Sequence, residues 1–91
     1  MDIDVYIKKI DYYLNEIKGI DLIYVQKIVT RLYSLKQLLY SSVCQYILDL
    51  EDEIDKIFIL IEKLIPLYKN NEFDSLKKMS DEILAIDLLK S

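Results

Sequence analysis

From Asp21 to Ile65 the chain contains no Gly, Pro or Asn, and apolar residues recur at helical spacing throughout. Leu22, Val25, Ile28, Val29, Leu32, Leu35, Leu39, Val43, Tyr46, Ile47, Leu50, Ile54, Ile57, Ile61, Leu64 and Ile65 stay within one broad stripe when each residue advances about 100°. A turn would normally reset that phase. The preferred expectation is one continuous helix of roughly 45 residues, about 65 Å long at 1.5 Å per residue. Two places offer a break: Ser42 with Gln45 has the spacing of a capping box, and Asp49 followed by Glu51, Asp52 and Glu53 resembles an acidic helix start. The fold class is therefore all-α, an antiparallel helical bundle with a long central helix, or a compact four-helix bundle if the stripe is broken near 41–52. The unbroken form leaves its stripe half covered and needs a partner or a copy of itself.

The flanking segments read as shorter helices. Ile3, Ile7, Ile10, Leu14 and Ile17 form one seam, with Asp2 and Asp4 at its positive end, so a first helix is expected from Asp2 or Ile3 to Lys18. Gly19 is expected to take the left-handed conformation beyond it, and Asp21 to cap the next helix. Pro66 lacks an N–H and is expected to kink or end the central segment, with residues 68–71 as a turn and Asn70 or Asn71 capping the last helix. Phe73, Leu76, Met79, Ile83 and Ile86 form that helix's buried seam, and Leu88 and Leu89 extend its apolar character.

Composition removes most chemistry. Ninety-one residues allow one helical domain, 1–91, near the size where a core only just outweighs the entropy of ordering the chain. With no His, one Gly and one Cys, zinc sites, Ser–His–Asp catalysis, phosphate-cradling loops and dinucleotide folds cannot be assembled. No catalytic, cofactor-binding or metal-ligating residue is assigned, and the chain is read as non-enzymatic. A net charge of −4 disfavours a phosphate backbone as the main partner. The longest apolar run, Ile57 to Ile61, is far short of a membrane span, the acidic start does not resemble an export signal, and a lone Cys44 gives no disulfide framework. A cytoplasmic protein is expected.

Several residues stand outside the core pattern. The acidic cluster Asp49, Glu51, Asp52, Glu53 and Asp55 reads as a solvated helix face, since no Gly-containing loop is present to wrap an ion. Lys36 projects from within the stripe, where it must snorkel to water or meet a carboxylate across an interface. Eight tyrosines are present; Tyr6 and Tyr13, like Tyr33 and Tyr40, are seven apart and share a helix side. A ring framing the core is the ordinary role, and anchoring an interface is the functional one. Ile59 lies about 160° from the stripe centre, with Leu48 on the same side, and Leu38 and Leu60 are also off the stripe. Tyr33, Tyr40, Leu38, Leu48, Ile59 and Leu60 are the candidate partner contacts. Lys27 and Arg31, one turn apart, are the weaker candidates for nucleic acid, and direct nucleic-acid contact is not expected.

In overall character this chain, with amphipathic helices over Ile3 to Ile17 and Leu22 to Ile65 rich in Lys, Ile and Tyr, resembles the small helical accessory subunits of the crenarchaeal replicative family-B DNA polymerase. The resemblance implies an archaeal protein–protein interaction subunit that stabilises or positions a larger partner, a DNA polymerase, in DNA replication. The alternative from a different class is a homodimeric helical nucleic-acid-binding regulator using Lys8, Lys9, Lys27 and Arg31.

Overall fold

The computed structural model describes residues 2–41 and 44–86, the side chains of 44–48 excepted. It contains four helices: α1 (Ile3–Ile17), α2 (Ile23–Ser41), α3 (Cys44–Lys69) and α4 (Phe73–Ala85). The Asp2 carboxylate caps α1, accepting from the N–H groups of Asp4 (3.0 Å) and Val5 (3.4 Å). Between α1 and α2 the link is held by Gln26, whose side-chain amide donates to the carbonyls of Ile20 (2.6 Å) and Lys18 (3.2 Å). The expected role of Asp21 is replaced: the start of α2 is marked by the Leu22 carbonyl, which accepts from Val25 and Gln26, and no hydrogen bond to the Asp21 side chain is found among the described residues. Gly19 does not adopt a positive φ. The link turns without it.

The stripe from 21 to 65 is divided between two helices. The longest dimension of the molecule is 39 Å, too short for a straight helix of about 65 Å and equal to the roughly 39 Å of α3 alone. α2 ends at Ser41 and α3 begins at Cys44, inside the window 41–52, while the acidic run at Asp49 lies within α3 and interrupts nothing. Ser42 and the side chain of Gln45 lie outside what is described, as do the side chains of Val43, Tyr46 and Ile47. Folding back has a clear physical return. Val25, Ile28, Leu32, Leu35 and Leu39 of α2 enter the same buried cluster as Leu50, Ile54, Ile57, Ile61 and Leu64 of α3. The phase is preserved because both halves serve one core, so the half-covered stripe that would have demanded a partner does not exist.

Around the bundle the helices neighbour one another in the order α1, α2, α4, α3, placing α2 and α3 at opposite corners. α1 and α2 form one antiparallel hairpin, α3 and α4 another. The hairpins dock with like-directed helices side by side: Tyr6 meets Asp55 and Glu16 meets Lys69 along α1 and α3, while Tyr24 meets Lys77 and Arg31 meets Ile86 along α2 and α4.

Pro66 does not end its helix. α3 continues one turn to Lys69 and closes in a left-handed cap at Asn71, with φ of 58°. The Glu72 N–H donates to the Leu67 carbonyl (2.9 Å) and the Asn71 N–H to Tyr68 (3.1 Å), the paired bonds of a Schellman motif. Asn71 thus terminates α3, and Glu72, with no side-chain capping bond, stands at the start of α4. On α4, Leu76 and Ile83 are buried and Met79 and Ile86 half-buried as expected, but Phe73 is exposed against Tyr68, and Ser80 takes a buried place. The Ser80 hydroxyl donates to the Leu76 carbonyl (2.8 Å), so it is buried without an orphaned polar atom.

Two substitutions test these turns by thermal or denaturant unfolding. Asn71→Gly removes the side-chain cost of a left-handed φ and is expected to raise stability by up to about 1 kcal/mol, whereas Asn71→Val lowers it by about 1–2 kcal/mol. At Gly19 a Cβ would meet nothing within 4 Å and φ is not positive. Gly19→Ala is therefore expected to stabilise by about 0.4–1 kcal/mol through the unfolded chain.

Candidate interaction surface

The sequence candidates are spread around the bundle. Tyr33 and Tyr40 sit on the flank of α2 that faces α1, 49% and 69% exposed. Between them Lys36 donates to Asp11 of α1 at 2.7 Å. This is the carboxylate expected for Lys36, supplied from within the chain, and it holds the Lys36 pKa above its ordinary value. Ile59, 53% exposed, points straight out from α3, at the opposite corner of the bundle. Leu38 and Leu60 are half-buried against the core, on the sides of α2 and α3 that flank α4. The Leu48 side chain lies outside the described residues, as does that of Cys44. The candidates therefore do not form one patch.

Arg31 is engaged inside the fold. Its Nη1 donates to the Ile86 carbonyl just beyond α4, where the last carbonyls of a helix lack partners. Lys27 remains exposed, one turn away, so the two cations do not present a joint phosphate contact.

The seam between α1 and α3 carries the densest set of polar and aromatic contacts. Phe58, absent from the sequence candidates, is 3% exposed and sits between the rings of Tyr6 and Tyr13, each centroid 5.4 Å away. Lys9 places its ammonium 5.9 Å from the same ring. The Tyr6 hydroxyl donates to Asp55 at 2.6 Å, and Tyr13 lies beside Glu62. Tyr6 and Tyr13 are seven residues apart, and so are Asp55 and Glu62, so one spacing repeats on both parallel helices. Burial first, then the Asp55 hydrogen bond and the charges of Asp55, Glu51 and Asp52, push the Tyr6 hydroxyl well above its ordinary range. Burial and Glu62 push Tyr13 up to about 12. Both rings frame the core, the ordinary role of such a tyrosine.

Further along this seam a groove of about 440 Å³ opens between α1 and the end of α3, lined by Tyr12, Glu62, Ile65, Pro66, Lys69 and Asn70. Pro66 has no N–H to give the Glu62 carbonyl, so that oxygen lacks its helical partner. Lys69 leans towards Glu16, 3.7 Å away. Among the described residues no group of three or more His, Cys, Asp or Glu is arranged to hold a metal ion, and no helix is long and apolar enough to cross a membrane.

Tyrosines of raised pKa favour the native state while they stay protonated. In the unfolded chain they ionise near pH 10, so their stabilisation is complete below that pH and is lost as pH rises through the folded value, about 12 for Tyr13. Unfolding midpoints followed by circular dichroism are expected to fall across this alkaline window. The Tyr6→Phe/Tyr13→Phe double variant should begin lower at neutral pH and fall less steeply.

Compared with known proteins, the chain matches no family model, no curated protein and no solved structure.

Proposed function

We propose that this chain is a non-enzymatic, cytoplasmic interaction subunit that binds a larger protein and stabilises or positions it. The observation that carries the reading is the placement of large apolar and aromatic side chains outside a core that is already complete. Ile23 (77% exposed), Tyr40, Tyr12 and Ile59 are not needed to close the bundle. Tyrosine gives broad, rigid contact area at low entropic cost and is enriched where interfaces derive their energy. The finer form of the proposal takes the partner to be a replicative DNA polymerase and the process DNA replication, and it rests on the resemblance in overall character alone.

A homodimeric nucleic-acid regulator is less well supported. Of the four cations that reading uses, Arg31 is committed to the Ile86 carbonyl and Lys9 lies over Phe58, leaving Lys8 and Lys27 for a phosphate backbone.

The test is capture of the tagged full-length chain from its native cells, with nuclease, at low and moderate salt, followed by mass spectrometry. Stoichiometric, salt-resistant recovery of one larger protein is the expected outcome, weakened at least about tenfold by Tyr33→Ala/Tyr40→Ala if α2 is the contact. Recovery of the chain alone, or of material lost with nuclease or salt, would overturn the reading.

A further inference from the structure

Two of the three connections in this bundle carry the bonds and residues of a turn, and the third has the sequence of a helix. The α1–α2 link contains Gly19 and is tied by the Gln26 amide to two of its carbonyls, and the α3–α4 turn closes on the left-handed Asn71. Between α2 and α3 stand only Ser42 and Val43, within a stretch free of Gly, Pro and Asn. The apolar phase also runs through this junction. Leu35 and Leu39 before it and Leu50 and Ile54 after it are all buried, and on a straight helix the four would fall within about 100° of one another, with Val43 and Tyr46 inside the same arc. Two folded-back helices meet across their core at an angle set by the turn, whereas a straight helix keeps one buried side only if the phase carries through. This sequence satisfies the second condition as well as the first.

We propose that the chain has a second native form, a dimer in which α2, residues 42–43 and α3 run on as one helix from Ile23 to Lys69 and each α1–α2 hairpin docks on the α3–α4 hairpin of the other copy. The proposal is independent of the partner-binding reading. The occupant of each docking face is a second copy of this chain, because the face fits the same hairpin that the monomer uses. Ile10, Ile28 and Leu32 of the first hairpin share one core with Ile54, Ile61 and Leu76 of the second, and the pairs Tyr6–Asp55, Glu16–Lys69 and Arg31–Ile86 each join one hairpin to the other. Exchange re-forms every one of them between copies and loses none. Only the junction changes: a reversal of direction over two residues gives way to helix, and short links of this kind favour exchange. In the dimer both cores lie between two antiparallel long helices, so each long helix must keep its stripe on one side from end to end. The continuous phase supplies that side. The long helix would measure about 70 Å, against 39 Å for the longest dimension of the monomer.

The test refolds an equal mixture of ¹⁴N- and ¹⁵N-labelled full-length chain from denaturant, at about 1 μM and at about 1 mM, in reducing buffer that keeps Cys44 out of disulfides. Size-exclusion chromatography with light scattering should show monomer at the low concentration and a dimer fraction at the high one, and small-angle scattering of that fraction should give a maximum dimension of at least about 70 Å. A zero-length carbodiimide then joins Glu16 to Lys69, a pair between hairpins, and Asp11 to Lys36, a pair within one hairpin. By mass spectrometry, about half of the 16–69 crosslinks from the dimer should combine the two isotopes, as random pairing of copies requires, while the 11–36 crosslinks stay single-isotope. Ser42→Gly/Val43→Gly disfavours helix at the junction in both copies and should lower the dimer association constant at least about tenfold, whereas Ser42→Ala should raise it several-fold. Circular dichroism checks that both variants keep the helical content of the wild type. Monomer alone at about 1 mM, a dimer whose 16–69 crosslinks are all single-isotope, or an association constant indifferent to the glycines would each overturn the proposal.

Discussion

The molecule depends on one constraint: the apolar stripe shared by α2 and α3 must be buried on both helices at once. Those two helices stand at opposite corners and cannot cover each other by direct packing along their lengths. α1 and α4 therefore fill the remaining corners, and each touches both members of the pair. Ile10 and Ile17 from α1 and Leu76 from α4 are as completely buried as Ile28, Leu32, Ile57 or Ile61. Small helical domains gain little from propensity alone, so most of their stability comes from this shared burial. It also sets the limits on function. With the core filled by its own side chains, any partner must be met from outside.

The same geometry explains why polar contacts gather between α1 and α3. Like-directed neighbours bring residues of equal spacing opposite one another, and the seven-residue repeat places Tyr6 with Asp55 and Tyr13 with Glu62 on either side of Phe58. Aromatic rings supply the buried area and the hydroxyls reach the rim, where the carboxylates stay in water. The Lys36–Asp11 pair does the same service between α1 and α2, holding a cation that projects from an apolar stripe. Such exposed pairs add little energy. They fix register, and they leave the remaining surface residues free of structural duty.

Much of this was legible in the residues. The seam of α1 reads directly from Ile3 to Ile17, and the stripe from Val25 to Ile65 names nearly every buried position of α2 and α3. The interruption after Ser41 was less legible, because a helix folded back on the same core keeps its phase, and phase is all that periodicity measures. Spacing offers Asn70 or Asn71 as a cap for the helix after the turn, whereas the left-handed φ of Asn71 closes the helix before it; Asn serves both roles, and only backbone geometry separates them. Phe58 and Ser80 were missed for related reasons. Phe58 sits at the edge of the stripe and is buried by α1, and Ser80 is polar yet bonds to its own helix. Among the surface candidates, exposure could be guessed from spacing at Ile59, Tyr33 and Tyr40, but their separation around the bundle depends on which helices are neighbours. No single-helix pattern contains that information.

The arrangement of hairpins has a kinetic consequence. Each pair, α1 with α2 and α3 with α4, closes through contacts local in sequence, whereas the contacts that join the pairs span 49 residues between Tyr6 and Asp55 and 55 between Arg31 and Ile86. Local closure is faster than long-range closure, so this topology predicts that docking of the two hairpins is the slower step.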